Sequence, residues 1–252
     1  MGRQLGNIRI SGSFDEFTFY VREGKALVRK KSSLTSERVK TSPDFLRTRE
    51  NAVEFHRAIQ AGQLIRALVA AYVKEVADSG LTARMNGVMK QVLNGDRSHV
   101  RGGRLMQDGD LGILRGFNFN EGQALADVLP VACCTHLDAA TGAIKIAIPS
   151  FIPLLHIKAP AGATHFRLVV WGAALDFDQR VCTGRMQDTA LMALDETPTG
   201  LLAFEYQANV AAGQVLMLVA GIAFYMAGTR GAGDFSRVKG GAMAIKRVMR
   251  KG

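Results

Sequence analysis

The side chains able to do chemistry are few and widely spaced. His56, His99, His136, His156 and His165 never pair at i,i+4 beside a glutamate, the spacing that puts two imidazoles on one helix face for zinc. Cys133 and Cys134 are adjacent and Cys182 stands apart. Without a second Cys/His pair they make a poor zinc site and read as small core residues. Ser11, Ser13 and Ser150 lie in no G-x-S-x-G elbow. Asp176 and Asp178 fall two apart, so on a strand both would face one way and could hold a hard cation such as Ca²⁺; a solvated strand end is the plainer reading. Residues 228–233 (GTRGAG) have the glycine content of a phosphate loop but not its Lys-Ser/Thr, and read as a hinge. No catalytic constellation, cofactor motif or metal motif emerges, and the expectation is a non-enzymatic protein.

Charge is placed more tellingly than chemistry. The chain of 252 residues carries a net +10. Residues 1–50 hold 11 Lys/Arg against 6 Asp/Glu, and residues 228–252 hold 7 against 1, so the body between them is nearly neutral. Basic ends on a neutral body suit arms that lie on nucleic acid, on an acidic membrane or on neighbouring subunits. The cations of the C-terminal end are Arg237, Lys239, Lys246, Arg247, Arg250 and Lys251. The N-terminus shows no charged-then-apolar leader, and the cysteine number is odd, so the expected compartment is the reducing cytoplasm.

These residues need elements to carry them. Residues 7–31 predict an extended lead-in and a β-hairpin, with Glu23-Gly24 as its tight turn. Alternation puts Phe17, Phe19 and Val21 on one face and Thr18, Tyr20 and Arg22 on the other. A polar linker follows, and Ser42-Pro43-Asp44 is a helix start of N-cap, first-turn proline and acidic residue. The helix stripe runs Phe45, Ala52, Phe55, Ile59 and then, after a bend near Ala61-Gly62, Ile65, Val69, Tyr72, Val76. Residues 81–93 predict another helix, with Met85, Val88, Met89 and Val92 inward and Asn94-Gly95 at its end. A glycine-rich connector reaches residue 122.

Residues 144–226 are apolar runs of strand length punctuated by proline and glycine, the pattern of a β-sandwich. Within them, residues 210–228 are 19 uncharged residues, long enough for a membrane span. Gly213 and Gln214 interrupt the run, so a buried strand pair or long bent strand is preferred and membrane contact is not expected. The class expected is α+β: a hairpin and two to three helices, then a C-terminal antiparallel β-sandwich. The divisions expected are a basic hairpin arm and linker at 1–41, a helical region at 42–122, a sandwich at 123–228 and a basic tail at 229–252.

The segments SGSFDEFTFY…VR and FLRTRENAVEF, with a later LRGFNFN, resemble a family of uncharacterised proteins of similar length sharing SGSFxxFTFY…VR and FxRTRENxxEF motifs. The resemblance covers roughly the first 120 residues and fades in the β-rich half. It implies that Phe17 to Tyr20, Arg47, Arg49, Glu50 and Asn51 serve a shared architecture, and it implies nothing catalytic. The function expected is a structural subunit of a homo-oligomeric assembly (a tube, filament, shell or phage-tail-like object). Its hairpin arm would use Phe17, Phe19, Tyr20, Val21, Arg22 and Lys25 for subunit contacts. The alternative is sequence-independent nucleic-acid binding by the basic ends, with Tyr20 stacking among Arg22, Lys25 and Arg29.

Overall fold

The computed structural model describes residues 2–5, 10–31, 34–228 and 233–252, and the chain forms two compact units, residues 1–50 and 51–252. Residues 7–9 and 229–232, assigned above to the lead-in and the hinge, lie outside the described residues.

In the first unit, β1 (Gly2–Arg3), β2 (Gly12–Phe14), β3 (Phe17–Arg22) and β4 (Lys25–Lys30) make an antiparallel sheet in the order β1-β4-β3-β2. The expected hairpin is its centre. Glu23 and Gly24 both have positive φ (53° and 71°), the conformation a two-residue turn needs to follow the twist of its strands. The partner strands β1 and β2 were not foreseen. Helix α1 (Ser36–Thr41), capped by the Thr35 hydroxyl accepting from the Arg38 N–H, and a 3₁₀ turn at Pro43–Phe45 follow, and the unit ends in the first turns of the next helix. The boundary therefore falls at Glu50 and not at residue 41.

The second unit is layered. A large antiparallel sheet of β7 (His165–Asp176), β8 (Val181–Asp188), β9 (Met192–Ala193), β11 (Val215–Ala227) and β12 (Phe235–Arg250) runs β12-β11-β7-β8, with β9 also on β7. A three-stranded sheet of β5 (Cys134–Asp138), β6 (Ala143–Ile148) and β10 (Leu202–Gln207), ordered β10-β6-β5, covers one face. Phe166, Leu168, Leu216, Leu218 and Phe224 meet Leu137, Ile144, Ile146 and Ile148 there. On the other face lie α2 (Leu46–Leu68), α3 (Ala70–Val76) and α4 (Leu81–Asn94), where Trp171, Met217, Val219 and Met243 meet Ile65, Val69, Met85 and Met89. Two short helices, α5 (Leu125–Val128) and α6 (Pro153–His156), lie in connections. The fold is α+β with a sheet-rich C-terminal half.

This layering explains the 19-residue apolar run. Strand β11 is covered on both faces, so successive residues Leu216, Met217, Leu218 and Val219 are all fully buried and no polar alternation survives. Each contributes about 1.5–3 kcal/mol by leaving water. No helix of the described residues is long and apolar enough to cross a membrane.

Three expectations are corrected. The first stripe of the long helix is not Phe45, Ala52, Phe55 and Ile59: Phe55 is 51% exposed, and the buried positions are Glu54, Ala58, Ala61, Gly62 and Ile65. The helix runs unbroken through Gly62; a Cβ there would lie 3.0 Å from the Met85 side chain, so the glycine lets α4 pack closely. The break comes at Val69, whose ψ of 16° leaves helical geometry. Finally, residues 235–250 are no tail. They form β12, and Ala242 to Ile245 are buried because the strand closes one side of the large sheet. Helices, sandwich and this strand belong to one unit instead of the three divisions expected.

Candidate functional site

The pleat of the N-terminal sheet separates its side chains into two faces. Register pairs Phe14 with Phe17, Phe19 with Val28 and Val21 with Ala26, so these six share one largely apolar face, with Lys30 opposite Phe17 and paired with Glu16 at 2.9 Å. Ala26 is buried and Phe19 and Val28 are half-buried, while Phe14, Phe17 and Val21 are 76%, 45% and 59% exposed. On the opposite face, Thr18 pairs with Arg29, Tyr20 with Leu27 and Arg22 with Lys25. The Arg29 guanidinium lies over the Tyr20 ring, 5.6 Å from its centroid. Arg22 meets Glu23 at 3.7 Å on the surface, a pair water largely screens. The hairpin residues predicted from sequence thus fall on two faces of opposite character. Phe14, the most exposed of the apolar face, was missed because β2 is only three residues long.

The helix-start residues have local structural work. Arg49 donates to the carbonyls of Val39 and Ser42, both at 2.8 Å, satisfying the C-terminal end of α1. Arg47 and Glu50 pair at 3.0 Å, and Asn51 accepts from Arg101 at 2.5 Å.

Most cations expected on a basic tail are tied back. Arg237 stacks 4.1 Å over the Tyr72 ring and also faces Tyr225. Arg247 donates to the Thr135 carbonyl at 2.8 Å, Lys251 to the Val210 carbonyl at 2.8 Å, and Arg250 pairs with Asp108. Lys239 is exposed. Asp176 and Asp178 have separate hydrogen-bond partners. Asp176 accepts from the N–H groups of Asp178 and Gln179 and orders the β7–β8 turn, while Asp178 accepts from Gln107 at 2.5 Å.

Two buried carboxylates went unforeseen. Glu54, 1% exposed, accepts from Lys90 at 2.5 Å and from the Gly102 N–H at 2.8 Å, with Arg104 at 3.7 Å. Burial favours its neutral form, but these donors and cations outweigh that and lower its pKa. Asp96, His99 and Asp108 bring their ligand-type atoms within 4.8 Å of one another. The Asp96 carboxylate already accepts from the N–H groups of Ser98, His99 and Leu105 and from the His99 ring. Burial alone would raise its pKa; the Leu105, Ser98 and His99 donors reverse this and hold it at about 2. This arrangement clasps the loop after α4. The remaining histidine contacts include His56 to Gln60, His156 to the Ile152 carbonyl and His165 to Thr164. Cys133, Cys134 and Cys182 are free thiols, and burial raises the pKa of Cys182.

Comparison with protein families, with curated proteins and with solved structures yields no match.

Proposed function

We propose that the protein is a structural subunit that assembles with copies of itself through the apolar face of its N-terminal sheet. The observation carrying this reading is the alignment of Phe14, Phe17 and Val21, all exposed, on one face. Aligned exposed aromatics on a small sheet are the character of an interaction surface. A second copy is the occupant because the body offers apolar surface of its own. Leu154, Leu155 and Leu201 are 55%, 70% and 70% exposed. They sit on neighbouring segments, since the Leu154 N–H donates to Asp195 and the Thr199 N–H to Phe151. An arm face docking on such a patch is a head-to-tail contact, which closes into rings or propagates as filaments.

Light scattering after gel filtration, with negative-stain microscopy, tests the reading on the full chain and on Phe17→Asp. The wild type is expected as large species, and Phe17→Asp as a monomer with unchanged circular dichroism. A monodisperse wild-type monomer at high concentration overturns the proposal. A second reading, nucleic-acid binding, is favoured by the basic opposite face, where Arg22, Lys25 and Arg29 surround Tyr20. It requires copurifying nucleic acid that dissociates as salt rises.

A further inference from the structure

Strand β12 departs from regular pairing at one residue. Ile245 is opposite Val219 and Arg247 is opposite Leu218, which leaves Lys246 as the extra residue of a β-bulge. A bulge re-aims the side chain it inserts. Lys246 lines a cavity of about 280 Å³ beside β12, where β5 and the segment 115–118 approach it. That segment is held to β12 by the Gly116 N–H on the Ile245 carbonyl at 2.8 Å and the Ile245 N–H on the Phe117 carbonyl at 3.0 Å. Arg115, Thr135 and Cys133 also line the cavity, and no aspartate or glutamate does. Among the described residues, neither Arg115 nor Lys246 has a hydrogen bond or ion pair through its side chain.

We infer that this cavity binds a small oxyanion, a phosphate or a short carboxylate, between Lys246 and Arg115. Two cations line one cavity without a carboxylate to neutralise them, and an oxyanion can accept charge-assisted hydrogen bonds from both. The floor sets the size of the ligand. Leu125, Val131, Cys133 and Lys246 border both this cavity and an apolar slot between the two sheets, and the slot holds only about 20 Å³. That is room for about one water, so a long acyl chain is excluded and the apolar part of any ligand is short. This site is separate from the assembly surface and does not depend on it.

The test is thermal unfolding of the full chain in sodium phosphate, and separately in sodium pentanoate, each against sodium chloride at equal ionic strength. Phosphate, pentanoate or both are expected to raise the wild-type Tm by a few degrees above chloride, the better of the two identifying the headgroup. Lys246→Gln and Arg115→Gln should each lose at least half of that rise. Lys40→Gln, an exposed control on α1 of the other unit, should keep all of it. The inference is overturned if neither anion exceeds chloride, if the two cavity variants respond as the wild type does, or if the Lys40→Gln control loses the response equally. Both cavity residues are at least partly exposed, so their neutral replacements fold; matching circular dichroism and chloride-only Tm values verify this.

Discussion

Asp96 is the residue at which local chemistry and stability meet most directly. It has no exposed surface in its side chain, and four donors converge on it. Its carboxyl titrates at about 2 when folded, whereas an unfolded aspartate titrates near 3.9. The unfolded chain therefore binds more protons between those values, and the stabilisation is complete above about pH 4 and drains as pH falls towards 2. Roughly 2–3 kcal/mol is at stake, from the difference between the two pKa values. Asp96→Asn should lose about that much at pH 7, with the gap to wild type closing as pH falls from 4 to 2, read from urea unfolding across pH. A gap that stays constant with pH would show that packing and not charge supplies the difference. Arg49 illustrates another residue-scale point: a cation that reads as a surface charge is in fact the C-terminal cap of a helix.

At the scale of elements, α4 shows how one helix uses glycines for opposite reasons. Gly87 lies within the helix with open space around a would-be Cβ, so it only adds backbone entropy to the unfolded chain. Gly109 belongs to the loop that caps the helix end, and a Cβ there would sit 2.1 Å from the Val92 carbonyl oxygen. That carbonyl also accepts from the Asp110 N–H at 3.1 Å, so the loop cannot retreat without losing a cap. Gly87→Ala should stabilise by about 0.5–1 kcal/mol. Gly109→Ala should destabilise by about 1–3 kcal/mol, as overpacking does. Denaturant midpoints for the pair decide it; a neutral Gly109→Ala would mean that the loop is free to move away. The bulge in β12 is an element-scale device of the same kind, since one inserted residue turns Lys246 out of the regular alternation.

For the whole molecule, the consequence of the proposed head-to-tail contact is that its two halves can be broken independently. Phe17→Asp removes the arm's apolar face and Leu155→Asp removes the acceptor patch, each placing a charge where an apolar contact is needed. Each variant alone should run as a monomer. An equimolar mixture should form a dimer and stop there, because one good arm and one good acceptor remain between the two chains. If Leu155→Asp alone assembles like the wild type, the acceptor surface lies elsewhere on the chain. Light scattering of the three samples separates these outcomes.

What the linear order of residues determined is whatever short-range physics controls. The Glu23-Gly24 turn, the Ser42-Pro43-Asp44 start, the Leu81–Asn94 helix and the β-richness after residue 140 were all legible, because turns, caps and period depend on neighbours within a few positions. The stripe Ile65, Val69, Tyr72, Val76 was legible for the same reason. Three things were decided only in three dimensions. Layering made β11 apolar on both faces, which by composition alone resembles a membrane span. Burial of Ala242 to Ile245 turned a basic tail into a sheet strand, since four apolar residues among cations gain a core only when β11 lies beside them. Glu54 gained a partner from sequence-distant backbone at Gly102, Asp96 from Leu105 across the loop after α4, and the Lys246 cavity arose where segments more than a hundred residues apart meet. Charge and period are properties of a segment; partners, cavities and burial are properties of what the fold sets against it.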